Sequence, residues 1–190
     1  GTGDASMVFT GTIADINTAL DGLTFDPDLN YFGLTSLTVQ SDDLGNTGSG
    51  GALTATNAVT INVGFVNNAP TLGGAIDLAA INEDATGNAG TLVSALIAGQ
   101  ITDADPGAVA GIAVTAVDNT NGTWDYSTDG GSNWNPLGSP SAASARLLAA
   151  DAGTYVRFVP NASWNGTVSG GFTFQAWDQT SGSAGGTADA

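Results

Sequence analysis

The chain has 190 residues, 18 of them acidic and 2 basic, for a net charge of -16, and it contains no His, Lys or Cys. Without basic patches it is unsuited to nucleic acid or to insertion at an anionic membrane, and without Cys it has neither a disulfide scaffold nor thiol chemistry. A hydrophobic fraction of 42% is too high for an acidic disordered tail and enough for a core, while no stretch approaches the roughly 18 apolar residues of a membrane span.

In chain order, the first predicted element is a short helix, IADINTAL, with Ile13, Ile16 and Leu20 on one face and Thr12 as its N-cap. Two strands follow, SLTVQ at 36–40 and AVTINVGFV at 58–66, rich in β-branched residues and alternating in polarity. Asn67-Asn68-Ala69-Pro70 then breaks the pattern, because Pro70 cannot donate to a ladder and biases Ala69 towards an extended conformation. IAVTAV at 112–117 reads as a strand. TWDYSTDGGSNWNPL reads as a hairpin that turns at Asp129-Gly130-Gly131, with Trp124 and Tyr126 on one arm and Trp134 on the other. SARLLAADA at 144–152 reads as a second short helix, and TYVRFV and FTFQAW as further strands. Short strands at this spacing predict an all-β fold of sandwich modules with short corner helices.

Part of the sequence occurs twice. Phe25, Pro27, Tyr31 and Gly33 recur 133 positions later as Phe158, Pro160, Trp164 and Gly166. LTVQSDD then matches FTFQAWD, and GSGG matches SAGG, at an offset of 135. Self-similarity of this kind marks an array of modules. The expected division is 1–66 as the later part of one β-sandwich repeat, 67–70 as a linker, and 71–190 as a second repeat. By this alignment the first copy lacks its front, and the second lacks a strand equivalent to TNAVTINV. Each is therefore expected to be completed by an adjacent repeat, or by an identical subunit arranged head to tail through strand complementation.

The run VNNAP, then INED at 81–84, ITDADPG at 101–107 and AWDQTSG at 176–182 resembles cadherin-type repeats. More closely, it is similar to the cadherin-like and Ig-like tandem repeats of giant bacterial surface adhesins, often exported by type I secretion (the RTX-type large repetitive proteins). The resemblance implies calcium held by a linker Asn/Asp, an early Glu, an Asp-x-Asp pair and a later Asp: here Asn67, Asn68, Glu83, Asp103, Asp105 and Asp178. It implies a bacterial extracellular or cell-surface adhesion protein in which such modules serve as calcium-stiffened spacers or build a filament. Two features depart from the pattern: the first copy has no Asp-Arg-Glu element, with Ser41-Asp42-Asp43 standing at a similar place, and the linker differs. Asn68 stands where the family commonly has Asp, which removes one charged ligand.

The residue chemistry agrees with calcium, which takes six to eight oxygen ligands, and a set without His or Cys excludes typical zinc and copper sites. Asp103 and Asp105, one residue apart, can turn towards one ion; in loops Asp also serves simply as a turn residue. Catalysis is not expected: the nucleophile–base pairs of most enzymes need His, Lys or Cys, and only Arg146 and Arg157 could steady a developing anion. The rival reading is a carbohydrate-binding module in which exposed Trp124 and Trp134 stack on a glycan.

Overall fold

The computed structural model describes residues 3–46 and 48–190. The chain divides into two compact units, the first ending at Val66 and the second covering Asn67–Ala190. Both are built mainly from antiparallel strands, and the fold is all-β.

The second unit is a sandwich of two four-stranded sheets. One is centred on β6 (Gly111–Val117) and β9 (Ala145–Ala149), with β11 (Phe172–Trp177) beside β6 and β12 (Thr187–Ala188) beside β9. The other runs β4 (Thr91–Leu92), β10 (Tyr155–Pro160), β7 (Gly122–Ser127), β8 (Asn135–Pro136). Alternation along the strands aims Ile112, Val114 and Leu148 from the first sheet at Trp124, Tyr126 and Val156 from the second, all of them buried. The four-residue helix α2 (Val93–Leu96) adds Val93, Leu96 and the following Ile97 to this core. A two-stranded pair, β3 (Thr71–Leu72) with β5 (Ile101–Thr102), completes the unit.

The segment 144–152 is not the expected helix: it contains strand β9. The physical reason is burial on both faces. Leu148 enters the main core, while Ala145, Leu147 and Ala149 join Trp177 in a second cluster on the opposite face. The loop after β11 folds over that cluster, with Trp177 Nε1 donating to Ser181 O at 2.8 Å and Gly185 N donating to Leu147 O at 2.7 Å. A strand buried on both faces loses its polar alternation and reads as a continuous apolar run.

The hairpin expected around Asp129 forms, with Tyr126 opposite Asn135 and Asp125 opposite Pro136. Its turn is held by its own side chains. Asp129 Oδ1 accepts from Ser127 Oγ at 2.8 Å and from Asn133 N at 2.9 Å, and Asp129 Oδ2 accepts from Asn133 Nδ2 at 2.6 Å. The Asn133 backbone and side-chain donors, followed by the Ser127 hydroxyl, hold the Asp129 carboxyl down at about 2.

The first unit consists of α1 (Ile13–Leu20) and a long hairpin of β1 (Gly33–Asp42) and β2 (Thr54–Val63). Helix α1 starts where expected. Thr12 accepts from Asp15 N, and the Asp15 carboxylate accepts from Thr12 N and Oγ1 in return, forming a capping box. The ladder runs from Gly33 opposite Val63 to Asp42 opposite Thr54. Asp43 Oδ1 ties the connecting loop by accepting from Gly45 N at 2.9 Å and Leu53 N at 2.8 Å. Among the described residues of this unit none is buried, and Leu34, Val59 and Ile13 are largely exposed. At the repeat offset of 133, α1 aligns with the segment that forms strand β9 in the second unit, so the two copies differ there.

Candidate metal centre

Five of the six candidate ligands lie at one end of the second unit, and the strand pairing explains why. Thr71 stands opposite Thr102, so the residues preceding β3 meet those following β5. Asn68 thereby reaches Asp105 twice, donating its backbone N–H to Oδ2 at 2.8 Å and its side-chain Nδ2 to Oδ1 at 2.7 Å. Asp105 N in turn donates to Asp103 Oδ1 at 2.9 Å, the turn in which an Asp accepts from the backbone two residues on. Asn67 Nδ2 donates to Asp178 Oδ2 at 2.7 Å, just beyond the end of β11. Asp178 Oδ1 also accepts from Thr180 N at 3.0 Å and Thr180 Oγ1 at 2.7 Å. The Asn67 amide first, and then the Thr180 donors, hold the Asp178 carboxyl below the usual carboxylate range against a small opposing desolvation.

Glu83 is placed elsewhere. Its Oε2 lies 3.5 Å from Asn165 Nδ2 and lines a groove alongside β10 and β11, while the neighbouring Asp84 accepts from Ser163 N at 2.8 Å. Among the described residues no three acidic side chains come close enough to hold one ion. The donor chemistry at the Asn67/Asn68 end fits calcium, being entirely oxygen once the two amides rotate to present Oδ1. As the side chains stand, however, Asn67 and Asn68 answer the carboxylates with N–H groups. An Asp at position 68 would set carboxylate against carboxylate and require a cation; Asn68 supplies the donor itself.

The aromatic platform of the rival reading is not available. Trp124 is only 4% exposed, packs against Phe158 and Phe172 at centroid distances of 5.2 and 5.0 Å, and donates Nε1 to Asp118 O at 3.2 Å. Trp134 is half-buried. The Arg157 guanidinium lies 4.0 Å from its ring centroid, and that same Arg157 pairs with Asp125 at 2.9 Å. Both rings belong to the packing of the hairpin.

Compared with known protein families, curated proteins and solved structures, the chain matches none.

Proposed function

We propose that the chain is a repeat region of a large extracellular structural or adhesive protein, its modules acting as spacers with a calcium-responsive site at the Asn67/Asn68 end of the second unit. The observation that carries this reading is the internal repeat: LTVQSDD closes β1 and FTFQAWD spans β11, each running one residue past its strand, in two separate units. Support also comes from the clustering of Asn67, Asn68, Asp103, Asp105 and Asp178 on a chain of net charge -16, where bound cations relieve self-repulsion. The candidate ligand set is reduced by Glu83.

Thermal melting in calcium and in EDTA tests the reading. Extracellular modules bind calcium with dissociation constants of about 10⁻⁴–10⁻³ M, and a free concentration 100 times that value stabilises by about 2.7 kcal/mol. For a unit of this size that corresponds to a rise in Tm of roughly 10 °C. Equal melting temperatures in the two conditions would remove calcium from the proposal.

A further inference from the structure

The tripeptide Asn-Gly-Thr occurs twice in the second unit, at Asn121-Gly122-Thr123 and Asn165-Gly166-Thr167, and the fold treats the two copies in opposite ways. In an Asn-Gly pair the glycine nitrogen can attack the preceding side-chain amide, because glycine has no Cβ in the way and a wide choice of backbone angles. The attack needs a free N–H and room for the two groups to meet. Asn121-Gly122 lacks the room. Asn121 O is held by Asn161 N at 2.9 Å, and Gly122 opens β7 opposite Pro160. Gly122 is buried so tightly against the Phe158 ring and Val159 O that not even a Cβ would fit.

Asn165-Gly166 is the reverse. Both residues are exposed and lie outside every strand and helix, in the segment that follows β10. Among the described residues nothing accepts from the Gly166 N–H. The Asn165 side chain is held only by a contact of 3.5 Å from Nδ2 to Glu83 Oε2, at the long limit for a hydrogen bond. The repeat shows that the module does not need the amide: at the offset of 133, Phe32-Gly33 stands in place of Asn165-Gly166.

We propose that Asn165 is a self-modification site of the folded chain. The Gly166 nitrogen bonds to Asn165 Cγ, the Cγ–Nδ2 bond breaks, and ammonia leaves with the proton from the Gly166 N–H. Water then opens the cyclic imide at either carbonyl. One opening restores the ordinary backbone and leaves aspartate at position 165; the other leaves isoaspartate, with an extra carbon in the backbone. The balance is one water consumed and one ammonia released, with nothing oxidised or reduced. No enzyme is required, so the step advances with the age of the chain. Either product turns an amide that donates to Glu83 into a carboxylate that repels it, on the wall of the groove alongside β10 and β11. Isoaspartate also lengthens the backbone beside Trp164, whose ring packs edge-on to Phe158 at 6.0 Å.

The full chain is incubated in mildly alkaline buffer, folded and, in parallel, unfolded in urea. Trypsin, cutting after Arg146 and Arg157, places the two Asn-Gly sites in different peptides, and mass spectrometry with fragmentation reads conversion of amide to acid at each. In the folded chain position 165 should convert about tenfold or more faster than position 121, and in urea that ratio should collapse. Isoaspartate, which only the imide route yields, should appear in the peptide 158–190. Asn165→Gln should abolish conversion at 165 and leave position 121 in urea unchanged. A folded ratio under tenfold overturns the proposal. So does a ratio that is the same in urea, because flanking sequence rather than the fold would then set it. Conversion at 165 without isoaspartate overturns the imide route.

Discussion

Asn68→Asp sets a carboxylate opposite Asp105, and it tests whether the Asn68 amide acts as a built-in substitute for a cation. In the wild-type chain Asn68 Nδ2 lies 2.7 Å from Asp105 Oδ1. The substitution loses that bond, worth about 1–1.5 kcal/mol, and sets two carboxylates against each other. At about 4 Å and an effective dielectric of 20 their repulsion is about 4 kcal/mol; both residues are only half-buried, so solvent screening reduces this to roughly 1–3 kcal/mol. The total, about 2–4 kcal/mol, lowers the Tm of a unit this size by roughly 8–16 °C in EDTA. Calcium should recover most of the loss and give Asn68→Asp a larger calcium response than the parent. Lowering the pH into the carboxylate range should also recover part of it, since two adjacent carboxylates can share one proton. Melts by circular dichroism in EDTA, in calcium and across pH measure all three effects. If Asn68→Asp melts within 2 °C of the parent in EDTA, the Asn68–Asp105 contact does not hold this end together in solution, and the argument for a cation substitute fails.

Gly90→Ala should be among the costlier single substitutions. Gly90 has φ +69°, and an added Cβ would lie 2.6 Å from Val156 O and 2.7 Å from the Trp134 ring, so left-handed strain and overpacking together should cost about 2–5 kcal/mol, with the displaced Trp134 read as a shift in fluorescence. Acid should loosen the Asp129 turn. Its carboxyl titrates at about 2 in the folded state and at about 3.9 when unfolded, so the stabilisation is full above pH 4 and lost as the pH falls through 2; Asp129→Asn should flatten that part of the stability–pH curve, whereas an unchanged curve would show that the turn contributes nothing there.

The strands legible in the sequence share one local signature. β1, β2, β6, β10 and β11 all alternate or carry β-branched and aromatic runs bounded by turn residues, and the hairpin at Asp129 announces its turn chemistry directly. β9 was hidden by its second buried face, and the two-residue strands β3, β4, β5, β8 and β12 were too short to leave a period. The candidate site was legible in part for a similar reason. Asp103 and Asp178 follow directly on strands, with Asp105 two residues further on, and those strand ends meet the segment that leads into β3. Glu83 lies in an irregular stretch between β3 and β4, where spacing carries no information about direction. At Asn68 position and chemistry are separate questions: an amide offers both an oxygen and two N–H donors, and beside Asp105 it is the donors that are used.

The aligned strands β1 and β11 make the physical requirement of the module explicit. Their sequences share one alternation, and both pair with an antiparallel neighbour. Yet Leu37 and Val39 are 38% and 43% exposed, while Phe172 rests against the buried Trp124 at 5.0 Å and Phe174 against Phe172 at 5.7 Å. The local code is the same, so the difference lies in what faces it. β11 has an opposing sheet carrying Trp124 and Phe158; among the described residues of the first unit, no second sheet stands across from β1. A two-stranded ribbon is marginal in water, and three or more strands with an apolar face need a covering layer. The first unit thus displays an apolar strand face without the covering layer that β11 meets inside its own unit.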